Sequence, residues 1–405
     1  MDATLDLHQD WGAAAEAELA DVVELRRAIH ADPEIGLQCP RTTEKIKAAL
    51  AGLPLEYREG TSTTGFVAIL RGGRDNGRTV LLRGDMDALP MQEETGLPFA
   101  SRVPGAMHAC GHDAHTAMLV GAARALCARR DRLSGSVVFM FQPGEEGHHG
   151  ARFMIEDGLL DEPRPEAAFA LHIMPNAPAG VMWSRPGALL ASTDALNITV
   201  HGRGGHAAMP HDGIDPIPVA CEIVTALSAF VARQIPVTDP AVLSITQINA
   251  GSAYNIVPDE VKLKGTLRTL SNTVRAKARE GLTRIAEHIA IAHGCTAEVV
   301  IDDGYPVTMN DPRALTLMRG VAEELGGEAA WRTMPSPIMG GEDFSYVLRE
   351  IPGAMAFIGV APKGSDPATN PPLHNTRMTI EEDVMARGVA IHCAVAERFL
   401  DNGLD

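Results

Sequence analysis

Between residues 79 and 173, short apolar strands alternate with helical segments, and this constrains the fold more than any other feature. TVLLRG (79–84), SVVFMFQ (136–142) and AAFALHI (167–173) are apolar runs of strand length. The stretch 113–129 between the first two carries Met118, Leu119, Ala122, Ala125 and Leu126 on one helical face. The stretch 150–157 before the third is a shorter helix, stopped by Gly158. Strand, helix, strand, helix, strand requires crossover connections, and these give a parallel sheet with helices on its faces. Two helices precede it. One, at 16–30, has Leu19, Val22, Val23, Leu25 and Ile29 at helical spacing; the other, at 42–50, is opened by Thr42 or Thr43.

Past Pro186 the pattern changes. A strand (195–202), a helix (215–234), two strands (241–251 and 260–270), a helix (about 273–293) and a strand (296–304) follow in turn. The order β-α-β-β-α-β is that of a ferredoxin-like unit. A helix at 312–325, a strand at 354–361 and a terminal helix at 381–400 then resume the earlier style. The expected fold is α/β: a discontinuous, mainly parallel-sheet catalytic domain (1–190 and 303–405) with an inserted ferredoxin-like α+β satellite domain (191–302).

The formal net charge of −17 excludes nucleic acid and anionic membranes as natural partners. Six cysteines with no CxxC pair fit neither a zinc ribbon nor a disulfide framework. They point to a reducing compartment, and the cytoplasm is expected. The acidic first residues show no basic-then-apolar leader pattern, and no apolar run of about 18 residues is expected to span a membrane.

Ligands of open parallel sheets bind beyond the carboxyl ends of the strands. After 79–84 come Asp85 and Asp87; after 136–142 come Glu145 and Glu146; the strand 167–173 carries His172 near its end. MHACGHDAHTAML (107–119) opens the helix that follows the first strand, on the same rim. Taken alone, this stretch fits a structural zinc knot, a cysteine nucleophile with its base, or part of a catalytic metal centre. The convergence of acids, imidazoles and a thiol favours a borderline divalent cation. Of two adjacent glutamates in a loop, one can ligate while the other takes a proton from water that the cation has acidified to a pKa of about 7. Cys127, Cys221, Cys295 and Cys393 read as core filling, and His8, His30, His201, His288, His293 and His392 as structural or surface residues.

The motifs LLRGDMDALP, MHACGHDAHTAML, FQPGEEGHHGARFMIEDGL, GRGGHAAMPHDGIDPI, GGEDFSYVL and LHNTRM resemble, in order and over nearly the whole chain, the aminoacylase/carboxypeptidase family of co-catalytic metallohydrolases. The branch is that of hippurate hydrolase, auxin-conjugate amidohydrolases and bacterial N-acyl-amino-acid amidohydrolases. The resemblance implies a binuclear centre with Cys110, His112, Glu146, His172 and His374 as metal ligands. Cys110 would bridge, Glu145 would be the general base, and Asp87 would support the site. It also implies a homodimer formed through the satellite domain, with His206 reaching a substrate carbonyl across the interface and Asn255 and Arg268 holding the substrate carboxylate. Where the branch often has HNPRFDF, this chain has HNTRMTI, so Thr376 and Met378 are expected to alter the pocket beside His374.

The function so implied is metal-dependent hydrolysis of N-acyl amino acids by two divalent ions, with zinc favoured and manganese or cobalt as alternatives. The competing readings are a dipeptidase or carboxypeptidase of the same fold, a cysteine hydrolase using Cys110, and a non-enzymatic metal-binding scaffold. A zinc deaminase would need P-C-x-x-C, which is missing.

Overall fold

The computed structural model describes residues 11–404, so His8 lies outside the described residues. In chain order the elements are α1 (Ala13–His30), α2 (Pro40–Ala49), β1 (Leu55–Glu59), β2 (Phe66–Arg71), β3 (Arg74–Asp85), α3 (His112–Ala128), β4 (Ser134–Gln142), α4 (Gly150–Glu156), β5 (Ala167–Met174) and β6 (Met182–Ser184). Then come β7 (Gly187–Leu190), β8 (Ser192–His201), β9 (Gly205–His206), α5 (Pro216–Gln234), β10 (Ala241–Ala250), β11 (Ile256–Val257), β12 (Glu260–Thr269), α6 (Asn272–Ala292) and β13 (Thr296–Asp303). The chain closes with β14 (Thr308–Asn310), α7 (Pro312–Gly326), β15 (Trp331–Thr333), α8 (Ser345–Glu350), β16 (Gly353–Gly359) and α9 (Val384–Asn402).

The residues divide into two compact units. The larger comprises 1–189, 309–336 and 343–405; the smaller comprises 190–308 and 337–342. The smaller unit therefore takes in 303–308 and the short return segment 337–342, beyond the span 191–302.

The larger unit is built on an eight-stranded sheet in the order β1-β2-β4-β3-β5-β16-β6-β15. Its centre, β4-β3-β5-β16, is parallel. The pairings β1 with β2, β2 with β4 and β16 with β6 are antiparallel. Strand β1 is not legible in the sequence because LEYRE is mostly charged; β2, FVAILR, is a buried apolar run as long as TVLLRG and is missing from the expected strands. The central strands are buried along nearly their whole length (Val80, Leu82, Val137, Phe139, Phe169, Ile173), as a sheet covered on both faces requires. Helices α1, α3, α7 and α9 pack around that core through Val22, Leu119, Met318 and Val389.

Small differences at helix ends have local causes. Helix α2 starts at Pro40, whose fixed φ suits a first turn. Thr42 does not open it; its N–H and hydroxyl both donate to the Glu34 carboxylate, at 2.8 and 3.0 Å.

The smaller unit has an antiparallel four-stranded sheet, β10-β12-β8-β13, with α5 and α6 on one face. Leu196, Ile198, Val200, Leu263 and Leu267 alternate toward Val219, Ile223, Leu227, Phe230 and Leu282 of those helices. Two expectations are corrected here. Helix α5, of 19 residues, is long and apolar enough by length and composition to cross a membrane. Its buried residues, Val219, Ile223, Leu227 and Phe230, face the sheet, so part of that apolar character is spent on this core. Cys221 does not fill a core: it is exposed on α5, whereas Cys127, Cys295 and Cys393 are buried.

Candidate metal centre

Strands β3, β4 and β5 run in parallel and therefore open their carboxyl ends onto one rim. There Asp85 ends β3, Glu145 and Glu146 follow β4, and His172 lies in the last turns of β5. The approach of α3 depends on Gly111, which precedes the helix at φ +85°. A Cβ at that position would stand 2.2 Å from Cδ1 of Ile173. Glycine alone lets the helix begin against β5 and brings His112, its first residue, to the rim.

Donor atoms of Cys110, His112 and His172 lie within 4.8 Å of one another, and so do those of Cys110, Glu146 and His374. Cys110 is common to both groups. A third group, His112 with Glu145 and Glu146, adjoins them. The Cys110 sulfur is 3.4 Å from Nε2 of His172. The other nitrogen of His172, Nδ1, donates to the Ile173 carbonyl at 2.7 Å, which leaves Nε2 as the lone pair facing the thiol. Burial, with His115 nearby, holds His172 well below the usual imidazole range, so the ring is neutral.

His112 is fully buried, and among the described residues neither of its ring nitrogens has a well-directed hydrogen-bond partner. Around it stand Asp87 at 3.3 Å, Asp85 at 3.6 Å, and Glu145 and Glu146 at 4.0 Å. Burial opposes its protonation, yet Asp85, Cys110 and Asp87 raise its pKa well above the ordinary value. An orphaned imidazole among carboxylates, next to a buried thiol, is a donor set that fits borderline divalent cations.

The Asp87 carboxylate accepts the N–H groups of Glu145 (3.0 Å) and Glu146 (3.1 Å), so Asp87 shapes the loop that bears both glutamates. The two side chains diverge. Glu146 Oε1 lies 3.2 Å from Nε2 of His374, while Glu145 Oε1 accepts the N–H of Asp343 at 3.3 Å. His374 is held at φ +62°, a left-handed conformation for a non-glycine residue, with its N–H on the Ala109 carbonyl at 2.9 Å. Its loop is clasped from outside: the Thr376 hydroxyl donates to Glu94 (2.9 Å) and the Thr376 carbonyl accepts the Glu94 N–H (2.8 Å). Met378 points into the hydrophobic core, 1 % exposed.

Asp85, His112 and His115 also cluster, but His115 has no lone pair to offer. Its Nδ1 bonds Asp85 at 2.6 Å and its Nε2 accepts the Ile173 N–H at 2.8 Å. Beneath lies a buried network outside the sequence reading: Arg83 donates to Asp85 (2.5 Å), Gln142 (2.9 Å) and Asp343 (3.1 Å). The only signal for Asp343 was its place in GGEDFSYVL, to which no role was attached. His108 is buried, neither of its ring nitrogens is hydrogen-bonded among the described residues, and burial pushes its pKa down to about 3.

The remaining candidates lie in the smaller unit. His206 and Ile256 pair on the β9–β11 ribbon, and the Asn255 carbonyl accepts the Ala207 N–H at 3.1 Å, so His206 and Asn255 share that ribbon. His206 Nδ1 accepts the Ala208 N–H at 3.1 Å, which fixes the proton on the exposed Nε2. Arg268 is elsewhere, half-buried on β12 opposite Thr193 and Val242. Burial lowers its pKa.

Known proteins are similar to this chain, some in sequence and some in solved structure. A thermostable carboxypeptidase of Saccharolobus solfataricus is 38% identical over 382 residues, 93% of this chain and 95% of its own. An N-acetylcysteine deacetylase of Bacillus subtilis is 38% identical over 365 residues, 90% of this chain and 93% of its own. The crystal structure of a dinuclear metal-binding peptidase of family M20 from Bacillus subtilis superposes with a TM-score of 0.81 at 34% identity, covering 95% of this chain and 99% of that one. Residues 81–398, from β3 through every donor of the rim to α9, match peptidase family M20/M25/M40. The chain belongs to that family and is an enzyme that acts on amide bonds.

Proposed function

We propose that the protein hydrolyses N-acyl amino acids to a carboxylic acid and a free amino acid, with two divalent cations held by Cys110, His112, Glu146, His172 and His374. The observation that carries this is the Cys110 sulfur, shared by two adjoining donor groups with the Glu145 carboxylate beside them. When bound, such cations acidify water and polarise a carbonyl oxygen. Glu145 takes the proton of the attacking water as the new C–O bond forms. It delivers that proton to the amide nitrogen as the C–N bond breaks, a service worth about 10²–10⁴ in rate. His206 donates from Nε2 to the carbonyl oxygen where charge develops, supplied by the second subunit of a dimer. Asn255 and Arg268 receive the α-carboxylate of the amino acid. The thiol favours zinc over manganese or cobalt.

Support for a homodimer through the smaller unit is its open edge. Among the described residues strand β10 has a neighbour on one side only, and it exposes Val242 and Ile248. Six unpaired cysteines, five of them buried, fit a reducing compartment such as the cytoplasm.

The likeness to a carboxypeptidase at the same identity favours a second reading, cleavage of a peptide's last residue. A panel of N-acetyl, N-benzoyl and long-chain acyl amino acids beside unblocked dipeptides separates the two. The first reading requires kcat/KM to be higher for the blocked substrates. Glu145→Gln tests the mechanism: metal is retained and turnover falls about 10²-fold or more. Turnover within a few-fold of wild type removes Glu145 as the base.

A further inference from the structure

We propose that Asp343 is the positioning residue of Glu145, holding the loop that carries the base at its start, in its middle and just past its end. The inference rests on the reading of Glu145 as the base.

The loop runs from Gln142, the last residue of β4, to Gly150, the first of α4. At its start, Gln142 Nε2 donates to Asp343 Oδ1 at 2.7 Å. In its middle, Glu145 Oε1 accepts the Asp343 N–H at 3.3 Å. Just past its end, in the first turn of α4, the Ala151 N–H donates to Asp343 Oδ2 at 2.9 Å. Asp343 is the first residue of the chain's return to the larger unit, and it leads into α8. From α8, the Tyr346 hydroxyl meets Nδ1 of His149 at 2.8 Å. His149 is one of two non-glycine residues at positive φ among those described, at +59°. Such a conformation costs on the order of 1–3 kcal/mol and persists where its surroundings over-determine it.

Asp343 is completely buried, so its charge needs compensation. Arg83 supplies it at 3.1 Å while also holding Asp85 at 2.5 Å. One guanidinium thereby joins the carboxylate that holds the base loop to the carboxylate that bonds His115. A proton acceptor misplaced by about 1 Å forfeits on the order of 10²-fold in rate, so a loop tied at three points serves the chemistry as well as the fold.

The test uses the metal-loaded enzyme and the variants Asp343→Asn, Glu145→Gln and their combination. In Asp343→Asn the amide nitrogen meets the Ala151 N–H or the donors at Oδ1, so one tie is lost while the shape stays. Metal content is expected to be unchanged and KM to stay within about three-fold, with kcat down about ten- to a hundred-fold. If Asp343 acts through Glu145, adding Asp343→Asn to Glu145→Gln costs less than about three-fold more. Asn310→Ala, which removes a buried amide bonded to Ser184, Arg185 and Met355, is the control whose effect multiplies in both backgrounds. Should Asp343→Asn not fold, Tyr346→Phe removes only a hydroxyl at the far end of the same loop, and its smaller kcat loss must likewise vanish in Glu145→Gln. A loss that multiplies in the Glu145→Gln background, or a loss of metal in Asp343→Asn, overturns the inference and leaves the base reading standing. If Glu145→Gln itself keeps its turnover, the base reading falls and this inference falls with it.

Discussion

The Cys110 sulfur stands 3.4 Å from Nε2 of His172, although 62 positions separate the two residues. The same sulfur closes a second donor group with Glu146 and His374. One sulfur thus lies in both donor groups, and its removal alters both.

Cys110→Ser therefore lowers metal stoichiometry as well as rate, because a hydroxyl is a poor substitute for a thiolate ligand. After dialysis, elemental analysis is expected to find no more than about half the metal of the wild type, and kcat/KM to fall about 10²-fold or more. His108→Gln keeps its metal, since His108 belongs to neither donor group. Full metal content in Cys110→Ser would take this cysteine out of the site.

His30 makes stability depend on pH. Burial opposes its charge, but Asp113 at 2.8 Å and Glu93 at 3.3 Å overcome both burial and the nearby Arg26 cation, raising its pKa to about 8. Across the pocket, Phe99 and His108 present rings to it. Because the folded value exceeds the ordinary 6.5, the stabilisation is fully present below about pH 6.5 and is lost as pH rises through 8. The rise is worth about 2 kcal/mol. Denaturant unfolding at pH 6 and pH 9 should show a fall of that order in the wild type and a smaller one in His30→Gln. Equal falls in the two proteins would refute the assignment.

His206→Ala is expected to keep both metals and lose about 10²–10³ in turnover, the usual loss on removing one donor to a developing oxyanion. Arg268→Ala instead raises KM, about ten- to a hundred-fold, by deleting a charge-assisted bond to a carboxylate. Mixing Glu145→Gln with His206→Ala protein under subunit exchange asks where His206 acts. If it completes the other subunit's site, activity returns to about a quarter of wild type for random pairing in a two-fold dimer. No recovery among demonstrated heterodimers would confine His206 to its own chain.

Local pattern carried the centre of the sheet and most of its rim. Short continuous apolar runs, too short for helices and alternating with helical segments, fit strands buried on both faces, and crossovers between them make those strands parallel. Asp85, Asp87, Glu145, Glu146 and His172 then fall on one edge by topology alone. MHACGHDAHTAML shows its histidines but not their tasks: His115 is spent on Asp85 and the Ile173 N–H, while His112 is left unbonded. That division depends on where β5 runs beside α3, a fact of packing with no trace in residue spacing. The edge strand β1 escaped because a half-exposed, charged segment has no apolar period to read; β2 lies inside the sheet and is a buried apolar run, which an alternation begun at residue 79 leaves out. Asp343 escaped for a related reason. A buried carboxylate is stable only with partners such as Arg83, Gln142 and Ala151, and those lie far away along the chain until the sheet and α8 have assembled. The sequence alone thus determined the order of the central strands and helices and the kinds of donor available, because both are written in local periodicity and composition. Only the tertiary structure decided which lone pairs face one another, because hydrogen bonds between distant segments choose each ring's tautomer and each carboxylate's direction.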